Sequence, residues 1–135
     1  MNAQQHVTIL VIDDDVAIVE MLQMALEEEG FLILTASDGE AGLQKLAQHK
    51  ANLILCDVMM PVLDGREFCR IIASSPEYKD IPVVLMSAGR LEIDCNSYPH
   101  AAFLSKPFNF TRLLEVVYHY TGGPGIQELH KSNAA

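Results

Sequence analysis

Apolar stretches recur along this chain, and between most of them the apolar residues thin out to every third or fourth position. The runs at residues 7–12, 31–36, 52–56, 81–86 and 101–105 are rich in Val, Ile, Leu and Phe, as strands buried on both faces require. Residues 16–29, 39–49, 64–73 and 109–120 carry helical periodicity instead. Ile18, Leu22 and Ala25 face inward in the first, Leu43, Leu46 and Ala47 in the second, Phe68, Ile71 and Ile72 in the third. Asp15 stands where the first helix needs an N-cap, and Gly30 where it must stop. Residues 89–100 break the rhythm. They show no convincing apolar stripe and contain Pro99, so the fourth helix of the series is expected to be short or irregular.

Strands joined through single helices run parallel, with helices covering both faces of the sheet, which makes a doubly wound α/β domain. At 135 residues the chain has room for one such domain. The domain is expected to span residues 7–121. The Gly- and Pro-rich sequence that follows, residues 122–135, reads as a flexible tail or linker stub.

Charge and cysteine content exclude several function classes. A net charge of −9 disfavours nucleic acid and anionic membrane surfaces, both of which need clustered Lys and Arg. The three cysteines, Cys56, Cys69 and Cys95, fall in no C-x-x-C pair, and the five histidines form no ligand pair, so neither a disulfide framework nor a zinc site is indicated. The N-terminus lacks a signal-peptide core and no apolar run approaches spanning length, which points to the cytoplasm.

The stretch NLILCDVMMPVLDG, residues 52–65, poses the functional question. A buried strand ends there in an ionisable carboxylate, Asp57, and an uncompensated buried charge costs several kcal/mol, roughly 3–5 when its partner is missing. The other strand ends supply what could compensate it. Asp13 and Asp14 follow the first strand, Ser87 ends the fourth and Lys106 the fifth, and function gathers at this edge of open α/β sheets. Clustered carboxylates repel unless a cation sits among them, and a hard divalent ion such as Mg²⁺ takes oxygen ligands of this kind. With Mg²⁺ and Lys106 beside it, Asp57 can stay ionised and act as a nucleophile toward a phosphoryl group, to which Ser87 can donate.

The segments ILVIDDD, LILCDVMMPVLDG, IPVVLMSAG and FLSKPF, in this order and spacing, make the chain resemble the receiver domain of two-component response regulators over about residues 7–120. The resemblance implies a flavodoxin-like strand order 2-1-3-4-5 and a phosphoryl group received on Asp57 from a sensor histidine kinase or histidine phosphotransfer protein. It implies Mg²⁺ held by Asp13, Asp14, Asp57 and the backbone carbonyl of Met59, with Lys106 contacting the phosphoryl group. Ser87 would be the switch hydroxyl, Phe103 the rotating aromatic, and Lys106–Pro107 a cis peptide. The output would be a protein-binding surface, not turnover. Residues 89–100 are expected to join the fifth strand and last helix in that surface, with Tyr118 as an exposed aromatic anchor.

Two other readings use the same residues. Asp13-x-Asp15 is similar to the nucleophile motif of haloacid-dehalogenase-type phosphatases, but the chain is short for that fold and Asp57 would have no role. A phosphorylation-independent adaptor with the receiver fold would have no need of Asp57 or Lys106, and both are present.

Overall fold

In a computed structural model describing residues 6–88 and 101–125, five parallel strands form one sheet in the order β2-β1-β3-β4-β5. The chain runs β1 (Thr8–Ile12), α1 (Val16–Glu28), β2 (Leu32–Ala36), α2 (Gly39–Gln48), β3 (Leu53–Asp57), α3 (Gly65–Ser74), β4 (Val83–Ala88), β5 (Ala101–Lys106) and α4 (Phe110–Thr121). The expected fourth helix falls within residues 89–100, outside the described residues.

Strand alternation sorts the core into two layers. On one face Ile9, Val11, Leu53, Leu55, Val84, Met86 and Leu104 pack with α1 and α4 through Leu22, Leu26, Leu113, Val116 and Val117. On the other, Leu10, Ile12, Ile54, Cys56, Val83 and Leu85 pack with α2 and α3 through Leu46, Phe68, Cys69 and Ile72. All five residues of β3 are buried, which accounts for its unbroken apolar run before Asp57. Each described helix starts on an Asp or Asn: Asp15, Asp38, Asp64 and Asn109 accept backbone N–H groups of the following first turn.

Several expectations shift by a residue or two. Helix α2 buries Gly39, Gly42 and Leu46 and leaves Ala47 exposed, because Gly42 lets the helix press onto β1: a Cβ there would stand 2.5 Å from Ile12 Cδ1. Helix α3 buries Cys69 with Phe68 and Ile72, and Ile71 is only half-buried. Strand β4 begins after Pro82, which has no N–H for the ladder, and runs to Ala88, so Ser87 lies within the strand and not at its end.

Residues 122–125, the first of those read as a tail, are also described. Gly122 takes a left-handed conformation (φ 75°) that closes α4, and the chain then turns under the sheet. Gly123 and Pro124 are buried, and the Pro124 carbonyl accepts the Val7 N–H at 3.3 Å. Pro124 lies against Gly30, where an added Cβ would approach it to 3.2 Å. Tyr118 belongs to the same junction. It is half-buried, stands edge-on to Phe31 at 5.8 Å, and its hydroxyl donates to Glu29 Oε1 at 3.0 Å, so it is no exposed anchor. The exposed aromatics of α4 are Phe110 and Tyr120.

A chain ended after Thr121 is therefore expected to melt below one ended after Gly125, by roughly 3–6 °C. Circular-dichroism melts of the two lengths check this, and equal melting temperatures would make residues 122–125 a passive tail.

Candidate functional site

Three strands deliver the charged residues to one edge. The backbone N–H of Asp13 donates to the Ala36 carbonyl at 3.2 Å, which fixes the residue just past β1. Its side chain is bound on both sides: Oδ1 accepts the Asp15 N–H at 2.9 Å and Oδ2 accepts from Lys106 Nζ at 2.8 Å. Asp57 is the last residue of β3 and pairs with Met86 of β4. Its Oδ1 accepts from the same Lys106 Nζ at 3.1 Å. Asp13 is 2% and Asp57 7% exposed, whereas Asp14 is open to solvent.

Lys106 reaches these carboxylates from β5, with β4 in between. Strands lie about 4.8 Å apart, so the side chain must cross roughly 10 Å from its own strand to β3. Register places Ala88 beside Lys106, and alternation puts both on the face of Asp57, so the residue under the lysine's path is a methyl group. Nothing in composition or periodicity singled out Ala88. The register supplies its role.

Gly65, the first residue of α3, is the other residue that sequence reasoning passed over. Its N–H donates to the Val58 carbonyl at 2.9 Å, and a Cβ at this position would stand 2.2 Å from the Asp57 carbonyl oxygen. Helix α3 can therefore start directly against the backbone of Asp57 only with glycine here. The preceding Asp64 holds the start of the helix, accepting the Arg66 N–H at 2.7 Å and two guanidinium hydrogen bonds at 3.1 Å. Burial pushes the Asp64 carboxyl up, but its bonds to Arg66 win and hold it below the usual range. The Asp-Gly pair after an apolar run was the available signal.

Burial raises the pKa of Asp57, and the Asp13 carboxylate adds to the effect, while the Lys106 hydrogen bond offsets only part of it. For Lys106, burial pulls the pKa down, but hydrogen bonds to Asp13 and Asp57 outweigh it and the net shift is upward. The ammonium is thus secured and Asp57 remains short of positive charge. Ligand oxygens of Asp13, Asp14 and Asp57 lie within 4.8 Å of one another, a set of hard anionic donors with one exposed member. That donor set fits a divalent cation with oxygen ligands and retained waters. Met59 follows two residues after Asp57 and is 61% exposed.

The remaining sequence-derived residues lie elsewhere. Ser87 is 8% exposed, and by alternation it shares a face with Val83 and Leu85, opposite Asp57. Among the described residues no hydrogen bond joins it to Asp57 or Lys106. Phe103 packs on the same opposite face and pairs with Leu85, two residues from Ser87. The Lys106–Pro107 peptide is cis. Cys56 and Cys69 are buried fillers, and burial raises both thiols. Cys95 lies outside the described residues.

Residues 9–118 match the family described as the response regulator receiver domain. The chain belongs to that family. It is 38% identical over 105 residues to the response regulator GtcR of Aneurinibacillus migulanus, covering 76% of this chain and 42% of the relative. It is 42% identical over 86 residues to the alkaline phosphatase synthesis transcriptional regulatory protein PhoP of Bacillus subtilis, covering 64% of this chain and 35% of that protein. The receiver thus spans less than half the length of these relatives. Among solved structures, the chemotaxis protein CheY4 of Vibrio cholerae superimposes with a TM-score of 0.79 at 27% identity, covering 86% of this chain and 99% of that one. The signal receiver domain of a signal transduction histidine kinase from Syntrophus aciditrophicus gives 0.78 at 28% identity, covering 85% and 89%. No described helix of the receiver is long and apolar enough to cross a membrane.

Two variants test the site's energetics. Gly65→Ala should destabilise the fold by about 2–3 kcal/mol, because helix and strand backbone must part to admit a methyl group; a denaturant titration measures it, and an unchanged midpoint would mean α3 shifts freely. Asp57→Asn should stabilise the metal-free protein. A raised folded pKa means Asp57 contributes most below its unfolded value of 3.8 and loses that contribution as pH rises through the folded value. At neutral pH the ionised carboxylate costs stability that Asn does not. The variant should melt higher by roughly 2–5 °C there, and the difference should shrink toward pH 4.

Proposed function

We propose that this receiver takes a phosphoryl group onto Asp57 from the phosphohistidine of a sensor histidine kinase or a histidine phosphotransfer protein, and that the modification changes a protein-binding surface. The observation that carries the proposal is the double ion pair of Lys106 with Asp13 and Asp57, at 2.8 and 3.1 Å, beside an exposed third carboxylate. One ammonium shared by two buried acids, with a third carboxylate beside them, leaves excess negative charge at a solvent-facing edge, which a divalent cation would offset before a phosphoryl group arrives.

In the proposed reaction, an Asp57 carboxylate oxygen attacks phosphorus in line with the imidazole nitrogen. The new P–O bond forms as the P–N bond breaks, the ring nitrogen keeps the electron pair, and the imidazole leaves neutral once protonated. Asp13, Asp14, Asp57 and the Met59 carbonyl would hold Mg²⁺. When bound, that ion neutralises phosphoryl oxygens during transfer. Lys106 exchanges part of its hold on Asp57 for the phosphoryl group, whose oxygens are stronger acceptors. Ser87, which faces away from Asp57 in the free form, would reach another phosphoryl oxygen around the end of β4, and Phe103, its neighbour on the same face, would repack as Ser87 moves. The domain is a stoichiometric acceptor working in the cytoplasm, and its acidity (net charge −9) fits a protein partner better than nucleic acid.

Treatment with acetyl phosphate and Mg²⁺ should add one phosphoryl group, located on Asp57 by mass spectrometry, and omission of Mg²⁺ should remove the label. Asp57→Asn should abolish it. Lys106→Ala should still be labelled but show a much smaller change in amide exchange over residues 102–107. An undiminished label in Asp57→Asn would sink the assignment.

A further inference from the structure

The turn between β3 and α3 contains the one described non-glycine residue with positive φ, Val62 at 69°. The Leu63 N–H donates to the Pro61 carbonyl at 2.7 Å, closing a γ-turn around it. A β-branched residue is a genuine outlier in this region, and a γ-turn of this hand is strained in any L-residue. Val62 is 74% exposed, so packing does not offset the strain. Neighbouring anchors impose it. On one side Val58 is fully buried, with its N–H donated to the Met86 carbonyl at 2.9 Å. On the other, Leu63 sits in the notch over Gly39, where a Cβ would meet Leu63 Cδ2 at 2.9 Å, and Gly65 is fastened to Val58 beneath the Asp57 carbonyl. The turn is drawn between points fixed to the backbone of Asp57.

We infer that Val62 is a spring on the phospho-acceptor site: the resting turn stores backbone strain that is lowered when the turn shifts around a loaded Asp57. The inference rests on the proposed role of Asp57 and Mg²⁺. Met59 lies three residues before Val62 in the same turn, and Gly65 three residues after it touches Asp57. A change at either end therefore alters the constraint on Val62. Glycine adopts φ near 69° without a Cβ penalty, so Val62→Gly removes the strain and leaves the charged groups in place. Linkage then fixes the sign. A substitution that stabilises the free form more than the loaded form must weaken loading by the same factor.

The chain has no Trp, so calorimetry and circular dichroism are the suitable readouts. Val62→Gly is expected to raise the melting temperature of the free protein and to weaken binding of Mg²⁺ with beryllium fluoride, a phosphoryl mimic, by roughly fivefold to tenfold. Val62→Ala, still strained but not β-branched, should fall between wild type and glycine. A stabilised Val62→Gly variant that binds with wild-type affinity, or more tightly, would overturn the inference, because the strain would then persist in the loaded form. So would a glycine variant no more stable than wild type. A folded wild-type protein giving no heat with Mg²⁺ and beryllium fluoride would overturn the phospho-acceptor reading as well, an outcome distinct from equal binding by both proteins.

Discussion

One ammonium holds two buried carboxylates at the carboxyl edge of the sheet, and most of the receiver's local design follows from making that possible. Asp13 and Asp57 alone would repel in a poorly solvated place. Lys106 bonds to both, yet burial still leaves Asp57 with a raised pKa. The site is therefore compensated enough to fold and under-compensated enough to favour a further cation. An exposed Asp14 beside the pair supplies a third anionic oxygen without a third burial cost.

The strand order makes this geometry available. With β1 beside β3, two carboxylates from strand ends are neighbours, and β4 separates them from the lysine on β5. A long side chain can cross a strand only if that strand offers little bulk, which Ala88 provides. The acid side is fixed equally closely. Gly65 lets α3 abut the Asp57 carbonyl, and Asp15 ties Asp13 to the start of α1. Small residues thus appear where backbone or lysine must pass, and acidic caps where a helix must begin beside the site.

Much of this was legible in the sequence because burial of both sheet faces leaves an unmistakable apolar rhythm, and the acidic residues and Lys106 stand at its interruptions. The errors have physical causes. The inward stripe of α2 was read through Leu43, Leu46 and Ala47, because periodicity ranks residues by size, whereas the close face of that helix is set by Gly42 against Ile12. Tyr118 looked exposed because a helical pattern does not reveal that Phe31 and Glu29 lie across from it. Glycine and proline signal freedom in sequence, and at residues 122–125 they permit the tight reversal that seats Pro124 on Gly30. Ala88, Gly39 and Gly65 have meaning only through register and contact, which no single-chain pattern contains.

The division of the site between the two sheet faces constrains how any signal must travel. Asp57 and Lys106 share the face covered by α1 and α4, whereas Ser87 and Phe103 lie with α2 and α3. Residues on opposite faces of a sheet cannot touch through it, so coupling must pass around the strand ends or through backbone shifts of β4 itself. Strand β4 is suited to the second route. Its Met86 pairs with Asp57, its Ala88 with Lys106, and Ser87 between them projects to the other side, toward the face of Phe103. A displacement of the β4 terminus by either charged neighbour would therefore move Ser87 in the same step. The buried remainder of β4, packed on both faces, would resist such a motion and favour the exposed end of the strand. A switch built on the proposed phosphorylation would need motion only at this edge of the sheet and none in the core.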